Sequence, residues 1–109
     1  MPTIYKVLGQ SAPSAATATT AYTAPTATSA VVSTVNIVNL STNADTVRVA
    51  VRPAGASLAN EHYIIFGLVL PARAQYTLQA GLTLATTDVV TVYSSNGTSS
   101  FSLFGSEIS

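Results

Sequence analysis

Residues 45–53, Asp45-Thr46-Val47-Arg48-Val49-Ala50-Val51-Arg52-Pro53, alternate with a period of two. Val47, Val49 and Val51 point one way, and Arg48, Ala50 and Arg52 point the other. That is the pattern of a strand with one face in a core and one face outside it. Valine is stiff at χ1 and packs well on a pleated surface. Pro53 cannot donate to a strand ladder and closes the segment.

Outward from this strand the chain repeats the same kind of signal. Residues 30–40 (AVVSTVNIVNL) are apolar on both faces, with Val31, Val35 and Ile37 on one and Val32, Val38 and Leu40 on the other. A strand apolar on both faces is buried on both or meets a partner on the second. Residues 41–45 (STNAD) form a turn, with Asx side chains that bond their own backbone. After Pro53, residues 57–60 read as one helical turn under a Ser57 cap. Residues 61–70 (EHYIIFGLVL) read as a strand with a bulge at Gly67, and residues 75–79 and 81–84 as two short strands. Residues 88–94 (DVVTVYS) and 99–104 flank Asn96-Gly97, whose tolerance of positive φ predicts a two-residue hairpin joining the last two strands. Residues 3–9 supply an opening strand.

These segments predict an all-β protein: one domain over residues 1–109, an antiparallel β-sandwich of about eight strands, jelly-roll-like. The expected core is Val35, Ile37, Val47, Val49, Val51, Ile65, Leu78, Leu82, Leu84, Val90, Val92, Phe101 and Leu103. Residues 11–28, an Ala/Thr/Ser run with prolines at 13 and 25, read as an extended N-terminal arm or long loop. Two readings of it stand: a surface arm with Tyr22 dipping into the core, or an arm lying on a neighbouring subunit with Tyr22 as its anchor.

The charge content narrows the function. Four basic and four acidic residues cancel to a net charge of zero. Free small domains usually carry far more charge and a net charge away from zero. A neutral folded chain is expected inside an assembly, as a homo-oligomer. No basic cluster marks a nucleic-acid binder. No apolar run is long enough for a transmembrane helix, and the opening residues have no signal-peptide pattern.

Chemistry is sparse. His62 is the one histidine and there is no cysteine, so no metal-ligand set is expected, nor any cofactor. Asp45 and Asp88 precede strands, where Asp serves turns, and no serine sits in a nucleophile motif, so no enzyme is expected. The tyrosines are spread along the chain rather than grouped as a sugar platform. Arg48 and Arg52 share one strand face, roughly 13 Å apart. They pair either with Glu61 or Asp88 in the same chain, or with carbonyls and carboxylates of a partner. Tyr22, Arg48 and Arg52 are the expected interface residues.

Several segments carry a resemblance: YKVLGQSAP (5–13), AYTAP (21–25), TSAVVSTV (28–35), VRVAVRPAGA (47–56), TDVVTVY (87–93) and FGSEI (104–108). The chain resembles a family of small structural proteins of tailed bacteriophages, with similar segments in phages of cyanobacteria. The resemblance implies a virion component without enzymatic activity, made in the host cytoplasm and carried on the capsid surface or tail. The first expectation is a capsid decoration (cement) protein, a homotrimer over capsid joints with the major capsid protein as partner. The alternative is a tail or fibre component, an adaptor or a host-surface glycan binder.

Overall fold

A computed structural model describes residues 3–109, the Ala80 side chain excepted. The described residues form eight strands: β1 (Thr3–Ser11), β2 (Thr19–Thr23), β3 (Ser29–Asn39), β4 (Asp45–Arg52), β5 (Tyr63–Leu70), β6 (Gln75–Leu84), β7 (Val89–Ser94) and β8 (Ser99–Ile108). Its helical turns are two short 3-10 segments, Pro53–Gly55 and Asn60–His62.

The strands make two four-stranded sheets, ordered β1-β8-β3-β6 and β2-β7-β4-β5. The first strand pairs with the eighth, the second with the seventh, the third with the sixth and the fourth with the fifth, all antiparallel. This is one long hairpin rolled over on itself, the jelly-roll arrangement. The expected all-β sandwich is therefore the fold.

The core lies between the sheets. Val32, Val35, Ile37, Phe101 and Leu103 come from the first sheet, and Val47, Val49, Val90 and Val92 from the second, all essentially closed to solvent. Every residue of the expected core is either buried there or packed against it.

Five local expectations are corrected. The 11–28 segment is more than an extended arm or long loop. It contributes β2, an edge strand on β7, and Ala15 bridges to Ser94. Its Ala/Thr composition allows close packing: a side chain at Gly9 of β1 would collide with the Ala21 carbonyl, so the two sheets approach backbone to backbone here. Second, the face assignment of β3 changes phase. A bulge at Ser33 puts Val32 on the same side as Val35 and Ile37, and leaves Val31 on the outer side. Third, the two short strands at 75–79 and 81–84 are one bulged strand, β6.

The fourth concerns Asn96-Gly97. β7 and β8 belong to different sheets, so this turn is an arch and not a hairpin. Gly97 takes φ 70°, but Asn96 is not among the residues of positive φ, so the type I′ geometry is not made. The reason lies outside the turn. Ser94 and Ser99, on either side of it, both donate to the buried Asp45 carboxylate, at 2.5 Å each. The Asn96 and Thr46 amides add bonds of 2.9 Å. The turn is thereby anchored to the start of β4 between the sheets. Similarly, Ser57 caps no helix; the His62 ring Nδ1 instead accepts the Ala59 amide at 3.1 Å and closes the Asn60–His62 turn.

Asn39, also fully buried, ties the same end together. Its Nδ2 donates to the carbonyls of Asn43, Leu70 and Pro71, and its Oδ1 accepts from the Ser41 amide and the Thr98 hydroxyl. Three loops meet on one side chain, each buried polar atom satisfied.

Candidate functional site

The alternation of β4 sends Val47 and Val49 inward and Arg48 to the outer face of the β2-β7-β4-β5 sheet. The register then places Phe66 of β5 and Tyr93 of β7 directly beside Arg48. The guanidinium carbon lies 4.4 Å from the Phe66 ring centre and 4.3 Å from that of Tyr93. Tyr63 packs edge-on against Phe66, centroids 4.8 Å apart. The bulges of β5 make this possible. Gly67, at φ 78°, and Ile64 each drop out of the pairing with β4, so Tyr63 and Phe66 both end on the outer face.

Two aromatic faces attract the cation and fix its rotamer. The Arg48 Nε is closed to solvent and has no hydrogen-bond partner. No carboxylate among the described residues lies within ion-pair distance of Arg48; the ion pair they form is Lys6 with Glu107, at 3.0 Å. Around the stack, Phe66 is 62% and Val69 60% exposed, and a shallow hollow opens beside Asn60, Tyr63 and Phe66. The site is therefore an apolar, aromatic surface with one pre-positioned positive charge.

The other residues singled out from sequence fall elsewhere. Arg52 does not pair with Glu61 or Asp88. Its Nε donates to Thr91 Oγ1 at 3.0 Å and its Nη1 to the carbonyls of Ala56, at 3.0 Å, and Gly55, at 3.4 Å. It binds carbonyls, as one reading expected, but those of its own chain, and it holds the turn after β4. Asp88 accepts the Ala54 and Ala85 amides instead. Tyr22 is buried in the core, as the surface-arm reading expected, so its ring is not an exposed anchor. Its hydroxyl donates to Glu107 Oε2 at 2.5 Å, linking β2 to β8 across the sandwich. Burial, and then the neighbouring Glu107 carboxylate, push the Tyr22 phenol well above its ordinary value. The hydrogen bonds from Tyr22 and Lys6 hold Glu107 below the usual carboxylate range.

A second exposed apolar patch lies on the outer face of the opposite sheet. Tyr5, 83% exposed, and Val7 of β1 stand beside Phe104 of β8 and Val31 of β3, and together they line an open hollow with Ser33 and Ser106. The rest of that face is a polar ladder in which Gln75 and Thr77 bond Asn36, and Gln10 meets Ser102. Sequence reading weighed Tyr5 only as one of the scattered tyrosines, and did not single out Val7, Phe66 or Phe104. The signal for Tyr5 and Val7 was their alternation on an edge strand. Phe104 followed from alternation too, one place after inward Leu103, whereas the outward placement of Phe66 depends on the β5 bulges.

Compared with protein-family models and with curated proteins, the chain matches none.

Proposed function

We propose that this chain is a non-enzymatic virion protein of a tailed phage, a capsid decoration (cement) protein that binds over joints between capsid subunits. The observation that carries the reading is the pair of exposed apolar patches on opposite outer faces of one neutral sandwich: Tyr5, Val7 and Phe104 on one side, Phe66 and Val69 beside the half-buried Tyr63 on the other. Contiguous exposed apolar surface marks a contact site. Two such surfaces back to back suit a protein that sits between neighbours, itself and the major capsid protein. Most of its few charges serve the fold: Asp45, Asp88 and Arg52 hold turns, and Lys6 pairs with Glu107. What remains outward is low in charge, and burying it carries little desolvation cost. The jelly roll suits the same reading, and so does the resemblance of several segments to phage structural proteins.

A second reading, a tail or fibre module that binds host glycan, is favoured by the exposed Phe66 ring, which with half-buried Tyr63 offers stacking surface beside the Arg48 charge. Gel densitometry of purified virions separates the two. A cement protein is present at a copy number comparable to the major capsid protein. A tail module is present at a small fraction of it.

A further inference from the structure

The guanidinium of Arg48 is held in place with nothing to answer its charge. Phe66 and Tyr93 flank it, and it takes part in no hydrogen bond or ion pair among the described residues. Its Nε is closed to solvent; its Nη atoms, equally without partners, are not closed off and are what a ligand reaches. Phe66 also lines a hollow of about 470 Å³ with Tyr63 and Asn60, within the size range of small-ligand sites. The Asn60 side chain is exposed and makes no hydrogen bond among the described residues, so its amide is unspent. No carboxylate lines the hollow. Glu61, next to Asn60 in the chain, is exposed to solvent, which screens it. Arg52 stands on the same face as Arg48, two positions past Ala50, which pairs with Tyr63. Its donors serve Thr91, Gly55 and Ala56, but its charge adds to the positive field there.

We propose that this hollow binds a uronic acid, a sugar whose carboxylate is attached directly to its ring, with Arg48 as the carboxylate's partner. Each part of the site matches a part of that ligand. The Nη groups form a fork of donors that fits the two oxygens of a carboxylate. The exposed ring area of Phe66, with Tyr63 beside it, offers apolar surface to the sugar's C–H groups. The Asn60 amide accepts from one hydroxyl and donates to another. The spacing selects the class. The guanidinium carbon is 4.4 Å from the centre of the Phe66 ring, so charge and apolar contact must come from adjacent parts of one small molecule. A carboxylate on a ring carbon meets that spacing; one at the end of a flexible arm does not hold it. An extended acidic peptide finds no flat edge to add to, because bulges at Ile64 and Gly67 break β5. The flanking rings have already fixed the Arg48 rotamer, so little side-chain entropy is lost on binding. The inference rests on the glycan reading above and names its sugar class; it does not require a place on the tail.

The test is titration of the full chain, followed by amide-resolved NMR, which also checks the fold of each variant. The probes are methyl glucuronide and methyl glucoside, which differ only in a carboxylate or a hydroxymethyl group on one ring carbon. Methyl glucuronide is expected to bind at about 1 mM, and methyl glucoside, acetate and a short glutamate peptide about tenfold more weakly or worse. Arg48→Met keeps an apolar stem between the rings and lowers glucuronide binding to the level of the glucoside. Arg48→Lys keeps the charge, loses the fork and weakens the glucuronide by about threefold or more. Arg73→Met, beyond the end of β5, changes nothing. Equal affinity for glucuronide and glucoside overturns the proposal and leaves the glycan reading standing. So does an undiminished preference in either Arg48 variant, or a preference lost with Arg73→Met. Acetate or the glutamate peptide binding as tightly as the glucuronide also overturns it. No binding of either sugar up to about 50 mM overturns the proposal and the glycan reading together.

Discussion

Replacing Asp45 tests how the sandwich is closed at its arched end. The carboxylate is 2% exposed and accepts four bonds, from the Ser94 and Ser99 hydroxyls and the Asn96 and Thr46 amides. Burial alone would raise its pKa; the four donors outweigh burial and hold it below the ordinary aspartate value. Asp45→Ala leaves these donors without an acceptor. Hydrogen bonds to a charged acceptor contribute about 1.5–3 kcal/mol each, and the amides of exposed Asn96 and half-buried Thr46 regain water more easily than the buried Ser94 and Ser99 hydroxyls, so a loss of about 3–5 kcal/mol follows. Asp45→Asn keeps one acceptor oxygen and the shape, and costs about 1–2 kcal/mol. Urea denaturation at neutral pH reads both. The pH dependence supplies a second arm. A folded pKa below the unfolded one gives stability that is complete above the unfolded aspartate value and is lost as pH falls from there through the folded value. Asp45→Asn removes that part of the acid loss. Asp45→Ala within about 0.5 kcal/mol of wild type, or identical acid profiles for wild type and Asp45→Asn, would refute the reasoning.

Other variants probe the rest of the frame. Gly105→Ala would place a Cβ 1.9 Å from the Val31 carbonyl oxygen inside the β3–β8 pairing, and is expected to lower stability by about 3 kcal/mol in the same denaturation assay. Val49→Ala opens a cavity at a fully buried site and costs about 1–3 kcal/mol, read as a fall in melting temperature. Tyr22→Phe removes the bond to Glu107 and costs about 1 kcal/mol near neutral pH. Because the Tyr22 phenol is raised in the folded state, wild type also loses stability as pH rises past the ordinary tyrosine value; the Phe variant lacks that alkaline loss, measurable by melting across alkaline pH.

The fold was legible where the chain alternates. Val47, Val49 and Val51 announced β4 and its inner face, and Phe101 and Leu103 announced that of β8. Gly67 marked a bulge because glycine in an apolar run has few other uses. What was not legible depends on partners distant in sequence. β2 lies in an Ala/Thr run with Tyr22 as its single large side chain, and only β7 and the close approach of Gly9 make it a strand. Val32 alternates correctly but faces inward because an inconspicuous serine bulges. Asn96-Gly97 has the local chemistry of a hairpin, yet Asp45, far back in the chain, decides which way the turn goes. At the site, the arginines were visible as a pair on one face. The rings that give Arg48 its role lie 18 and 45 positions away and arrive through strand register.

Location on the particle tests the cement-protein reading most directly. Gold-labelled antibody against this protein, applied to intact phage, is expected to decorate heads at many points across their surface, with tails bare. Label confined to tails or fibres, or absent from purified particles altogether, would contradict it.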